Sequence, residues 1–411
     1  MEIQPEEKLK PTQIAILVIV VSGILWTLHF VLTRLRFFYG VDYHMFYEWQ
    51  AEYRKTGIFY PENTVFFNFP LTVFAFGPYG FLPVDMAVTL KFIQTAVFSV
   101  FSFVTLMKIR PGLLTHNRIA LFSTLMILST FFLTQLVYLN IYVEVGFCLL
   151  LSVYFYEKGK WISSAFFLSL AVMFKVFLFP LLLLPLITRN RRFLGWVIVF
   201  MITLFVISLM LFGFHTHVDM LRAMSATYSR MRLSGIGYPF VSDGFAGWQD
   251  LFNKFMMIGL INREMIIPLT MTAASLYGCL SLYALYLMNR VARFRMNDPG
   301  FYLHVFASLM ILSIGFNFRF DHGTLFLCAV PFFGALNNKH KTLLTLSLTL
   351  LTLSRFLVVT VFRFAGGITI AKVFSDCFYL ISFQFIGINL LVFLVVNEWV
   401  LIEKETINHG I

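Results

Sequence analysis

Apolar stretches long enough to approach a bilayer crossing recur along the chain, separated by short polar clusters. A helical crossing needs about 20 predominantly apolar residues, and 14–31 and 193–214 approach or meet that length. Long Leu, Phe and Ile runs without strict alternation exclude a barrel, so the spanning elements are helices. The pattern predicts spans near 12–33, 84–107, 118–134, 141–156, 193–213, 267–289, 300–316, 324–337, 342–357 and 376–397. Residues 161–188 are long for one helix and short for two. Basic clusters at both ends of that stretch favour two short segments bent around Lys175 or Pro180. The expected fold is all-α: a polytopic transmembrane helical protein of about 12 spans (range 10–13), forming one integral-membrane domain over 1–411. No internal repeat stands out.

The polar clusters set the orientation. Lys108, Arg110 and Arg118, the Glu157-Lys158-Gly159-Lys160 turn and the Arg189-Asn190-Arg191-Arg192 turn form three of them. Arg290, Arg293 and Arg295, Lys339-His340-Lys341 and the tail after Glu398 complete the set. Short basic connections are retained in the cytoplasm, which places both termini there and 34–68, 214–266 and 317–323 outside. Residues 355–376 are expected to join that outer face. The first apolar run lacks a small-residue cleavage site, so it reads as a retained span.

Composition sharpens this picture. Hydrophobic residues make up 59% and charged residues 12%, about half the charge of a soluble domain, with mean hydropathy +0.82. The net charge of +11 sits in the inter-span clusters and does not point to nucleic acid. The four cysteines lie scattered in apolar stretches, without metal or disulfide spacing.

Chemistry must therefore reside in a few polar places. The densest is 34–68, where Tyr39-Gly40-Val41-Asp42-Tyr43-His44 precedes polar and aromatic residues at helical spacing, ended by Gly57. This predicts an amphipathic helix at the membrane surface with Asp42 just ahead of it, in the N-cap position. A carboxylate fixed at a helix terminus is oriented and could deprotonate an acceptor hydroxyl. Capping alone accounts for Asp42 equally well.

Inside the apolar stretches, Asp85, Lys91, Gln135, Asn140, Glu144 and Lys175 stand out. Asp85 and Lys91 lie near a span end, within reach of water. Lys175 sits near the outer turn if its stretch is bent, where it could meet a phosphate. In a single helix it would need a partner such as Glu144. Arg230, Arg232 and Arg319 offer forks suited to phosphate, or else ion-pair staples. His322 could orient a pyrophosphate or sugar, with Asp321 a partner to Arg319 or His322. No His, Cys or carboxylate grouping has metal spacing. Asp42 alone would hold a divalent cation weakly, so metal dependence stays open. Aromatic crowding among the 51 Phe mostly fills core or faces lipid, and could also line a groove for an isoprenoid tail.

The first span, Asp42-Tyr43, Trp49 through Tyr60, and the Phe69-Pro70 and Leu82-Pro83 turns together resemble the GT-C superfamily of integral-membrane glycosyltransferases. The likeness runs on through Gln135–Asn140, Phe174–Pro180 and Asp321-His322, over roughly residues 12–335. The most similar branch is the bacterial alpha-mannosyltransferases that use polyprenyl-phosphate mannose. The resemblance implies transfer of a sugar, mannose foremost, from a polyprenyl-phosphate donor to a hydroxyl of a lipid-linked or cell-envelope glycan. It implies inversion with Asp42 as general base, and it maps the family's lysine and late histidine onto Lys175 and His322, which Arg230, Arg232 and Arg319 join as candidates for the donor phosphate. Acceptor or sugar contacts would come from Tyr43, His44, Glu48, Asn68, Asn140 and Asp321. It further implies no cofactor, a monomer among membrane lipids, and an active site on the extracytoplasmic face of a bacterial inner membrane. The chain departs from the branch at Asn317-Phe318-Arg319-Phe320, where a Ser-Pro-type turn is usual. Leu136-Val137-Tyr138 likewise replaces a Gly-Gln-Asn-type pattern. A transporter or flippase, and a lipid-pyrophosphate-dependent glycan ligase, are the alternative readings.

Overall fold

The computed structural model describes residues 41–57, 69–72, 78–109, 133–233, 248–257, 259–295, 299–316, 325, 338–352 and 383–408. Among them every regular element is helical. The first six α-helices are α1 (Val41–Thr56), α2 (Val84–Ile109), α3 (Leu133–Tyr138), α4 (Tyr142–Glu157), α5 (Trp161–Phe174) and α6 (Leu184–Ile187). They are followed by α7 (Arg191–Leu233), α8 (Trp248–Met257), α9 (Ile266–Arg295), α10 (Pro299–Gly315), α11 (Asn338–Thr352) and α12 (Phe383–Asn408). Short 3-10 turns at Pro78–Phe81, Val176–Leu183 and Arg263–Met265 complete them.

Among the described residues, four stretches are long and apolar enough to cross a membrane: Val84–Ile109, Arg191–Arg222, Arg263–Arg295 and Gln384–Ile407. The expected spans at 12–33, and most of 118–134 and 324–337, lie outside the described residues, as do the 317–323 turn and the 355–376 segment.

Helices α2 and α4 lie side by side in parallel. Lys91 and Thr95 meet Glu144, and Phe98 and Phe101 meet Phe147. The chain leaving α2 at Ile109 has therefore returned to the first end by Leu133. Helices α4 and α5 form a hairpin zipped by small polar residues: Ser164 Oγ donates to the Ser152 carbonyl at 2.8 Å.

The 161–188 stretch bends as its flanking charges predict. Helix α5 ends at Phe174, Lys175 is extended (φ −138°, ψ 97°), and a 3-10 turn containing Pro180 leads into α6. The two ends of the stretch come back together around Tyr156. Its ring contacts Trp161 at 4.6 Å and Phe193 at 5.1 Å, and its hydroxyl accepts from Asn190 Nδ2 at 3.5 Å. Tyr302 stacks on the same ring. The Lys158–Lys160 and Arg189–Arg192 turns thus share one end of the bundle, with Lys175 at the other.

The carboxyl-terminal helices lock onto that basic end. Arg290 pairs with Glu403, His340 with Glu398, and Trp399 Nε1 donates to Ser308 Oγ at 2.9 Å. Near their opposite ends α11 and α12 touch closely, Ser347 Oγ donating to the Gly387 carbonyl at 2.5 Å. Any side chain at Gly387 would collide with the backbone of α11.

Helix α7 departs from expectation. The sequence places a loop at 214–266, yet helix continues past Gly213 to Leu233, and α8 is a second helix within the same segment. Gly213 (φ 75°, ψ 161°) makes a kink, not an end. His217 Nδ1 donates back to the Gly213 carbonyl at 2.8 Å, while Ser208 Oγ lies 2.9 Å from Nε2. The imidazole bridges the two halves and packs against Phe69 and Phe205.

Only glycine occupies that backbone region without strain, and nothing lies within 4 Å of a Cβ placed there. Gly213→Ala is therefore expected to cost about 1–3 kcal/mol through backbone strain alone. Thermal unfolding of detergent-purified protein checks this: the midpoint falls, and an unchanged midpoint would remove the kink's dependence on glycine.

Candidate active site

One end of the bundle gathers polar groups that are not basic clusters. Its platform is α1, which terminates because Gly57 adopts φ 72° and its N–H bonds to the Tyr53 carbonyl at 2.8 Å. Tyr43 and Phe46 face inward and are buried, whereas Glu48, Glu52 and Lys55 are exposed. Tyr47 Oη donates to the Leu82 carbonyl at 2.7 Å, and Gln50 packs against Gly80. These contacts fasten α1 onto the turn entering α2.

Asp42 lies one residue inside the start of α1 rather than ahead of it, still in the first turn, where the positive end of the helix dipole acts. Its side chain is outside the described set, as are those of Arg230 and Arg232, which sit on the helical continuation of α7 and not in a loop. Asn68, Arg319, Asp321 and His322 also lie outside the described residues. His44 is half-buried and Glu48 exposed on α1. Asn140 is buried at the start of α4, its Oδ1 accepting the Ile141 N–H at 2.7 Å.

Beneath α1 lies a buried ion pair. Lys91 Nζ meets Glu144 Oε1 at 2.5 Å, with side-chain exposures of 0% and 4%. Thr95 Oγ1 and Gln94 Nε2 donate to the same oxygen at 3.2 and 3.4 Å, and Tyr79 Oη donates to Gln94 Oε1 at 3.0 Å. This corrects an expectation from sequence. Lys91 does not reach water at a span end, because α2 begins at Val84 and carries it about 10 Å below the helix start. Glu144, offered as a partner for Lys175 only if 161–188 were a single helix, pairs with Lys91 instead. Gln94 and Thr95 escaped notice: only the parallel packing of α2 on α4 reveals that their face meets an acid.

Lys175 is placed by the bend after α5. It is buried, and its Nζ lies 4.3 Å from the centroid of the Tyr142 ring, a cation–π contact. Thr72 Oγ1 donates to the Phe174 carbonyl at 3.2 Å, tying the chain that precedes α2 to this tip. The first turn of α4 thus carries Tyr142 under Lys175 and, two residues on, Glu144 against Lys91.

Burial pushes the Tyr43 phenol well above its ordinary range, with smaller contributions from Tyr79 and Tyr47. Burial, then Glu144, raises Tyr79 in the same direction. Both stay neutral at physiological pH, able to donate and accept hydrogen bonds. Among the described residues no His, Cys or carboxylate group of three could hold a metal ion.

Breaking a buried pair leaves an uncompensated charge, so Lys91→Met is expected to destabilise by about 3–5 kcal/mol. Adding Glu144→Leu should restore most of that loss, because no unpaired charge then remains. Chemical denaturation of both variants in detergent tests it. A double variant no more stable than the single one would contradict the pairing.

The sequence model of glycosyltransferase family 87 matches residues 66–314, well over half of the 411. The match runs from just before Phe69 to the end of α10, taking in Lys91, Glu144 and Lys175 and beginning after α1. No curated protein and no solved structure matches the chain.

Proposed function

The chain belongs to glycosyltransferase family 87, among the GT-C-type membrane glycosyltransferases, and on that premise we propose that it transfers a hexose, mannose foremost, from a polyprenyl-phosphate donor to a hydroxyl of a lipid-linked or envelope glycan. Lys175 carries this reading. A buried cation at the tip of a bent hairpin suits a lipid phosphate, and the turn that follows exposes Val176 and Phe179. An apolar track that ends at a cation matches a molecule with a prenyl tail and an anionic head. Membership of a transferase family favours transfer over transport.

The acceptor oxygen attacks the anomeric carbon as its proton passes to the Asp42 carboxylate. The bond from that carbon to the phosphate oxygen breaks, and polyprenyl phosphate leaves with the bonding electrons. Lys175 stabilises the charge that accumulates on the leaving phosphate. A single carboxylate offers no second nucleophile, so configuration inverts; this step borrows the logic of glycoside hydrolysis. Arg230, Arg232, Arg319 and His322 are further candidates for the phosphate, and His44, Glu48, Asn68, Asn140 and Asp321 for the sugars. On the same proposal the basic end of the bundle faces the cytoplasm of a bacterial inner membrane and the α1 end faces outward.

Purified Asp42→Asn is expected to bind polyprenyl-phosphate mannose like the parent and to lose about 10²–10⁴-fold in transfer rate, the scale of a positioned base. Near-normal transfer would remove Asp42 from the mechanism. Lys175→Met should raise KM for the same donor at least tenfold while leaving KM for the acceptor unchanged. An unaltered donor KM would move the phosphate elsewhere.

A further inference from the structure

Three polar side chains near α1 are buried without hydrogen-bond partners at atoms that normally demand them. Gln135 on α3 has 0% exposure, and neither its amide oxygen nor its amide nitrogen is paired. The Tyr43 hydroxyl, also at 0% exposure, has no partner. Glu144 receives every donor on Oε1 and none on Oε2. Each such atom costs free energy if it stays unpaired. Their helices adjoin: α3 packs on α1 and α2, and α2 on α4. The link from α3 to α4 passes through Leu139 at φ 55°, a left-handed conformation that a leucine rarely adopts, and Leu139 is fully buried. The backbone is held there at a cost, and its effect is to set Gln135 and Glu144 on either side of one tight turn.

The chemistry of these atoms narrows the ligand. A prenyl chain would leave all of them unpaired, and a phosphate would meet the Glu144 carboxylate. A polyhydroxylated ring satisfies them. Two neighbouring hydroxyls, one donating and one accepting, match the side-chain amide of Gln135. A third hydroxyl can donate to Glu144 Oε2, and the Tyr43 phenol serves in either sense. We propose that Gln135, Tyr43 and Glu144 Oε2 form the subsite that binds the hexopyranose ring of the donor, adjoining the phosphate position at Lys175. This assignment rests on the polyprenyl-phosphate reading above. The first turn of α4 supports the donor over the acceptor sugar: Tyr142, two residues before Glu144, carries Lys175 over its ring, and the donor sugar is bonded directly to the phosphate.

The test compares Gln135→Leu and Tyr43→Phe with the parent protein in detergent, using three probes. These are polyprenyl phosphate, a set of polyprenyl-phosphate hexoses (mannose, glucose and galactose), and the methyl hexopyranosides as stand-ins for an acceptor. Each variant is expected to bind the preferred sugar-bearing lipid at least tenfold more weakly and to bind polyprenyl phosphate unchanged. Gln135→Leu is also expected to unfold at a higher temperature without ligand, since it removes two unpaired buried atoms. Variants that bind the sugar-bearing lipids like the parent would overturn the subsite and leave these atoms to water. Weakened methyl hexopyranoside binding with unchanged donor binding would overturn its assignment to the donor. Should Gln135→Leu fail to fold, Tyr43→Phe, which loses one oxygen, decides the same question. A parent protein that binds neither polyprenyl phosphate nor its hexosides marks a failure of the donor reading itself, distinct from a failure of the subsite.

Discussion

In an apolar interior an ammonium and a carboxylate stay charged only by holding each other, and the Lys91–Glu144 contact fixes one end of this protein on that basis. Either group alone would carry a desolvation cost of several kcal/mol. The contact sets α2 against α4 in parallel register and brings the first turn of α4 beneath α1. That turn presents Tyr142 to Lys175 on the bent hairpin. Ion pair and hairpin tip are therefore positioned through a single helical turn. The pair leaves Glu144 Oε2 unused, so it contributes an acceptor as well as a brace.

The two ends of the bundle divide polar chemistry by kind. One end holds the arginine and lysine turns, closed by contacts between Arg290 and Glu403 and between His340 and Glu398. The other holds buried amides, phenols and hydroxyls around the Lys91–Glu144 pair and Lys175. Low polarity around Lys175 and Glu144 strengthens what each can do electrostatically, and it also raises the cost of any misplaced partner.

Much of this could be read along the chain where a local rule decides. The stop of α1 at Gly57 followed from the need for a positive φ at a helix end. The fold-back of 161–188 followed from basic residues at both of its borders. The loop expected at 214–266 began where the long apolar run ends, and only the structure shows the helix resuming past Gly213, with His217 bonded to its carbonyl. Lys91 was misjudged because its partner lies 53 positions away on another helix, and no periodicity encodes which helices become neighbours. Gln135 was conspicuous as an amide in an apolar run, but its lack of a partner emerges only from packing. Asp42, expected just ahead of α1, lies two positions further into it than an N-cap would.

Sidedness tests the account most directly, because it requires the α1 end to face away from the cytoplasm. In a background with all four cysteines replaced, single cysteines at the exposed positions Glu48 and Lys158 can be challenged in intact cells with a membrane-impermeant maleimide. The account predicts that Glu48→Cys reacts from outside and that Lys158→Cys reacts only after permeabilisation. The reverse pattern would put the α1 end on the cytoplasmic face and contradict it.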